Sequence, residues 1–80
     1  RLTGTSLFPN PADKVINVNG LKSGNLYHFR IFNTIGQLTF SGKIDQSNQI
    51  NISHLSAGQY LIEIFDSKSF EKTSLRFAKL

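Results

Sequence analysis

The stretch Leu26-Tyr27-His28-Phe29-Arg30-Ile31-Phe32, with Asn33-Thr34-Ile35-Gly36 and Gln37-Leu38-Thr39-Phe40-Ser41 after it, decides the fold class. Side chains alternate across an extended chain, so Tyr27, Phe29 and Ile31 share one face while His28 and Arg30 share the other. The segment 33–36 reads as a turn, with Gly36 at the position suited to positive φ. Residues 37–41 then return as a second strand with Leu38 and Phe40 on one face.

The same alternation continues on both sides. Residues 5–8 form a strand that Pro9-Asn10-Pro11 stops, and residues 14–18 set Ile16 and Val18 against Val15 and Asn17 before the turn pair Asn19-Gly20. Farther along, residues 49–52 put Ile50 and Ile52 together, and 53–58 form a loop. Residues 59–66 place Tyr60, Ile62 and Ile64 inward and Glu63 outward. Ser67-Lys68-Ser69 makes a tight turn, and residues 70–79 close the chain with Leu75 and Phe77 inward and Arg76 outward. Seven short runs separated by Asn, Gly, Ser and Pro match the spacing of a sandwich. No window keeps a 3.6-residue apolar period, so no long helix is expected. Alternation leaves one wet face per sheet, which favours antiparallel pairing. The expected fold is therefore all-β, a seven-stranded antiparallel β-sandwich. It is immunoglobulin-like in outline but lacks the Cys and Trp of antibody domains.

Composition narrows the function classes. Eighty residues allow one domain, taken as 6–80, with 1–5 as the end of a linker from a preceding region. There is no Cys, so neither a disulfide framework nor a thiolate metal site is expected. No apolar run approaches the 18 or so residues of a membrane span. The chain starts at Arg1 and contains no Met, and so reads as a piece of a longer protein, with any export signal upstream.

Catalytic patterns are near misses. In Gly20-Leu21-Lys22-Ser23-Gly24 the serine lacks the G-x-S-x-G frame and the following helix of a nucleophile elbow. The span from Gly36 to Lys43 has the wrong spacer for a phosphate loop, and Ile44 stands where a Ser or Thr belongs. His28 and His54 have no orienting acid in the pattern. The five acids are scattered singly, so no carboxylate pair points to acid/base work. Asp45-Gln46-Ser47-Asn48 reads as a polar hairpin loop rather than a calcium loop. Asn51-Ile52-Ser53 fits the N-glycosylation pattern at a strand end. No cofactor and no metal is expected. Net charge is +4, concentrated toward the end, where Lys72, Arg76 and Ala78 share a strand face opposite Phe77. That is a solvated face or a docking surface for an anionic partner, without the interleaved aromatics of a nucleic-acid binder.

Four segments in order resemble one family. Leu7-Phe8-Pro9-Asn10-Pro11-Ala12 resembles its opening (Y/F)-P-N-P-A signature. Residues 29–38 resemble its central hairpin, with Asn33 where the family usually has Asp. Residues 50–62, through Leu55, Gly58 and Tyr60, resemble its i-d-i-s-x-L-x-x-G-x-Y-x-i segment, and 75–80 its basic and aromatic tail, where Ala78 and Leu80 depart from the usual residues. The chain is thus similar to the type A C-terminal sorting domain of the type IX secretion system of Bacteroidetes, over nearly its whole length.

The signature residues also have plain physical jobs. Pro9, Asn10 and Pro11 stiffen the entry segment, and neither proline can donate to a ladder, which suits an edge or linker. Gly36 and Gly58 permit positive φ. Asn33 makes local turn bonds, and Tyr60 can bury its ring while its hydroxyl reaches a loop carbonyl.

The resemblance implies a module with no catalysis of its own, at the C-terminus of a secreted or cell-surface precursor. The outer-membrane translocon would read it, and a surface sortase would remove it. No nucleic-acid partner and a monomer are expected. Lys72, Arg76, Phe77, Lys79 and Leu80 are the expected recognition residues, on a closing strand whose edge can accept a partner by strand addition. Removing the last residues is expected to abolish export and leave most of the sandwich folded. Cleavage is expected at or before residues 1–6. The alternative class is an accessory spacer or carbohydrate-binding module of an extracellular enzyme, for which Phe32 and Phe65 are the outward aromatics.

Overall fold

Strand-forming residues and breakers alternate along the chain, and the computed structural model turns each apolar run into a strand. It describes residues 4–22 and 24–80. The strands are β1 (Ser6–Phe8), β2 (Val15–Asn19), β3 (Tyr27–Phe32), β4 (Leu38–Ile44), β5 (Gln49–Asn51), β6 (Gly58–Asp66) and β7 (Lys72–Lys79). Two antiparallel sheets result, one ordered β1-β2-β5 and the other β4-β3-β6-β7.

The inward residues of both sheets meet in one core. Ile16, Val18 and Ile50 of the smaller sheet, with Ile52 just after β5, pack with Tyr27, Phe29, Ile31, Ile62, Ile64 and Phe77 of the larger. Ile16, Ile31, Ile52, Ile62 and Ile64 are wholly buried. Burying each such side chain contributes about 1.5–3 kcal/mol. This is the expected sandwich, with two boundary corrections.

The first concerns β4, which continues to Ile44 instead of ending at Ser41. Gly42 looks like a stop but is a contact point: a Cβ there would lie 3.3 Å from Phe29 Cε2, so the ring packs against the bare backbone. A register shift at Ile31/Phe32 then sets Leu38 opposite Phe32, away from the side that Phe40 shares with Ile31. Leu38 is consequently exposed, not inward. The second concerns β7, which begins at Lys72. Phe70 sits in the preceding turn with φ 61° and its ring exposed.

Local chemistry fixes the turns. Asn33 Oδ1 accepts from Ile35 N–H at 3.1 Å and Gln37 N–H at 2.9 Å, and its Nδ2 donates to Gln37 Oε1. Gly36 completes that turn with φ 83°, and Gly58 also has positive φ, at 149°. At Gly20, φ is 94° and a Cβ would fall 2.2 Å from Gly4 O, so the turn closes on the start of the chain. The 45–48 segment is no hairpin: it carries the chain from β4 in one sheet to β5 in the other. Asp45 Oδ1 accepts from Ser47 N–H at 2.9 Å and from its hydroxyl. Tyr60 is buried, stacks on Phe77 at 5.5 Å, and donates its hydroxyl to Ser56 O at 2.7 Å, the expected corner bond.

The proline segment switches sheets. After pairing with β2, the chain crosses to the free side of β7, where Ala12 forms a parallel bridge with Lys79. Ala12 N–H donates to Ala78 O and Leu80 N–H to Ala12 O, each at 2.8 Å. Asn10 Oδ1 accepts from Ala78 N–H at 3.0 Å, and Asn10 Nδ2 donates to Arg76 O at 3.4 Å. Residues 10–12 thus act as a strap over the last part of the β7 edge.

Candidate functional site

The expected recognition residues separate into two groups when placed on β7. Side chains at 72, 74, 76 and 78 project from the outer face of the four-stranded sheet, and 73, 75, 77 and 79 project inward. Lys72 and Arg76 are therefore exposed on the outer face. Phe77 is 1% exposed and belongs to the core, where it supports Tyr60. Lys79 is also buried, so it is no part of the basic face. Its ammonium donates to Leu80 O at 2.8 Å and lies 3.9 Å from Asp13 Oδ1. Those partners answer the cost of burying a cation. Leu80 is exposed but held through its backbone by the strap.

Around Lys72 and Arg76 the outer face forms rows across the sheet. One row reads Lys43, His28, Phe65, Lys72 and the next Ser41, Arg30, Glu63, Ser74. Glu63 lies 3.4 Å from Arg30 Nε and 3.7 Å from Lys72 Nζ. The Arg30 guanidinium sits 4.9 Å over the Phe65 ring, on which His28 also stacks at 5.3 Å. Phe65 is thus covered by its own neighbours, which leaves little of the flat aromatic platform that a sugar-binding face needs. A groove of about 660 Å³ is lined by Phe32, Leu61, Gln59 and Arg76 together with Tyr60 and the 33–36 turn. His54 packs edge-on to Phe40 at 4.4 Å. Among the described residues no cluster of His, Cys, Asp and Glu has the makings of a metal site.

At the other end of the β6–β7 hairpin, Asp66 is a buried carboxylate. Its Oδ1 accepts from Lys68 N–H at 2.8 Å and Ser69 N–H at 3.4 Å, and its Oδ2 from Asn25 Nδ2 at 3.2 Å. The Lys68 N–H bond does most to hold its carboxyl below the usual range, against the burial that raises it. The Asp66-Ser67-Lys68-Ser69 sequence carries the signal of such an Asx turn, which a reading of strands alone passes over. The sequon residue Asn51 spends its Oδ1 on Ser53 N–H and Oγ. Residues 1–3, part of the expected linker and cleavage stretch, and Ser23 lie outside the described residues.

Comparison with known proteins agrees with this architecture. The family model described as a secretion system C-terminal sorting domain matches residues 6–76. No curated protein matches the chain. Among solved structures, the chain is similar to PorZ, described as an essential bacterial surface component of the type-IX secretion system of Porphyromonas gingivalis. The similarity has a TM-score of 0.73 at 21% identity and covers 99% of this chain. This chain spans 12% of that protein's length.

Proposed function

The chain belongs to the family of secretion system C-terminal sorting domains, and from that premise we propose that it is the address label of a longer cargo protein. The family is one of sorting signals, not of enzymes, and a type IX signal implies work with the type IX machinery and export to the cell surface or through the outer membrane. In the proposal, residues 6–80 are the label and 1–5 the end of the linker to the cargo. The outer-membrane translocon reads the folded sandwich, and a surface sortase then cuts at or before residues 1–6 and removes it. Recognition rests on the closing strand, with Lys72 and Arg76 as contacts and Leu80 as an exposed apolar side chain. Phe77 and Lys79 hold that strand in place from the inside.

The observation that carries this reading is the family match over residues 6–76, on a chain whose seven strands complete one sandwich. The test is a transplant of residues 1–80 onto a periplasm-directed fluorescent reporter, in a Bacteroidetes host with and without its type IX translocon. Translocon-dependent arrival of the reporter at the surface, freed of the module, is the expected result. A reporter left in the periplasm with the module folded and attached would overturn the reading in favour of an accessory sandwich.

A further inference from the structure

The edge of β7 is only half closed. In an antiparallel ladder the backbone groups of alternate residues point away from the partner. On β7 those residues are Lys72, Ser74, Arg76 and Ala78, because Ala78 N–H and O are both taken by the strap on the side away from β6. The strap also takes Arg76 O. Among the described residues, nothing pairs with the N–H of Ser74 and Arg76 or the carbonyls of Lys72 and Ser74.

The inward side chains record the same boundary. Phe77 and Lys79, beneath the strapped half, are buried, whereas Thr73 and Leu75, beneath the open half, are only half-buried. The larger sheet thus ends with a stretch, from Lys72 to the Arg76 N–H, whose outward backbone groups have no partner among the described residues and whose inward side chains, Thr73 and Leu75, are only partly covered.

Its flanking charges decide what fits. Lys72 and Arg76 stand on the outer face four residues apart, about 13 Å along the strand. Among the described residues no carboxylate pairs with Arg76. A second copy is disfavoured, since antiparallel pairing about Ser74 would set Lys72 of one copy opposite Arg76 of the other, and like charges directly opposite destabilise a sheet. An acidic strand has the opposite sign at the same two places.

We propose that residues 72–76 accept an extended segment of a partner protein by strand addition, and that this segment carries the pattern acidic–apolar–any–apolar–acidic. The acids face Lys72 and Arg76. The apolar residues extend the core beside Thr73 and Leu75. The pattern is the same in both chain directions. This deepens the sorting proposal by naming the chemistry of the reader, and in the cell it rests on that proposal.

The test begins with the isolated 80-residue chain. A capped peptide with the core Glu-Val-Thr-Val-Glu is titrated into the ¹⁵N-labelled chain, beside a control with the core Lys-Val-Thr-Val-Lys. The acidic peptide is expected to bind at least about tenfold more tightly, from two cross-strand charge pairs exchanged for two repulsions. Shifts should centre on residues 72–76, with slowed hydrogen exchange at the Ser74 and Arg76 amides. Ser74→Pro removes an edge N–H and no ladder bond to β6, so it should abolish binding and keep the fold. The double variant Lys72→Glu, Arg76→Glu leaves the backbone alone and should reverse the preference toward the basic peptide. Equal binding of both peptides, or shifts centred on β4 or β1, would overturn the proposal. In the reporter assay, export of the parent fusion with arrest of Ser74→Pro is expected. Export of both overturns the edge proposal and leaves the sorting role standing. Failure of the parent fusion overturns the sorting role, and the titration still decides the edge.

Discussion

Deleting Lys79 and Leu80 asks whether the closing residues are a signal laid on a finished fold or a part of that fold. The deletion removes the Leu80 N–H bond to Ala12, the pairing of Lys79 with Gly58, and the buried lysine stem. Roughly three backbone hydrogen bonds are lost, each with a net contribution of about 1 kcal/mol. Fraying at a chain end lowers the sum, to about 2–3 kcal/mol. An 80-residue domain has about 4–12 kcal/mol to lose. Each kcal/mol shifts the melting temperature of so small a domain by about 4–8 °C, so the truncated chain should melt about 10–20 °C below the parent. Calorimetry or circular-dichroism melts read this directly. Leu80→Ala keeps every backbone bond and should melt within a few degrees of the parent, which separates the side chain from the strap contact. A truncated chain melting within about 2 °C of the parent would refute the reasoning, and the tail would then be a surface signal only. Export by the truncated form therefore has to be assayed below its own melting temperature.

Three further outcomes are expected. Tyr60→Phe removes the bond to Ser56 O and leaves the stacking on Phe77, so it should cost about 1 kcal/mol in denaturant titration with an unchanged slope. Gly20→Ala and Gly36→Ala both place a Cβ at positive φ, but only the first drives it against Gly4 O; Gly36→Ala should cost about 1 kcal/mol and Gly20→Ala clearly more, with equal melts refuting the steric argument. The Asp66 carboxyl is held below its ordinary value by the Lys68 N–H. Its stabilisation is therefore complete above the unfolded carboxylate range and is lost as pH falls through the lower folded value. Melts from about pH 6 down to about pH 2 should show a decline that is smaller in Asp66→Asn.

Much of the fold was legible because strict alternation has one physical meaning. Tyr27, Phe29 and Ile31, and likewise Tyr60, Ile62 and Ile64, have no other way to leave water together, and all six are buried. Gly36, Asn33 and Tyr60 were legible for a similar reason, since each makes its key contacts within a few residues. Misreadings arose where a distant neighbour decides. Gly42 reads as a breaker unless the ring of Phe29 is known to lie over it. Leu38 shares a face with Phe40 only in a strand without a register shift. Lys79 falls inward by parity, yet a lysine is expected in water; Asp13, far away in the chain, helps to hold it inside. On the candidate surface, Lys72 and Arg76 were legible as a shared face. The half-closed edge was not, because it depends on Asn10 and Ala12 meeting residues 76–80.

The strap also sets how the domain bears load. Residues 10–12 run parallel to the end of β7, so tension applied through the residues ahead of Asn10 and through Leu80 slides the two segments past one another. The bonds Ala12 N–H to Ala78 O, Leu80 N–H to Ala12 O and Ala78 N–H to Asn10 Oδ1 then stretch together, in shear, instead of opening one at a time like a zip. A pull across these two points is resisted until the whole clasp fails. A pull confined to the segment ahead of Asn10 loads β1 alone, three residues of edge strand, and peels it away far more easily.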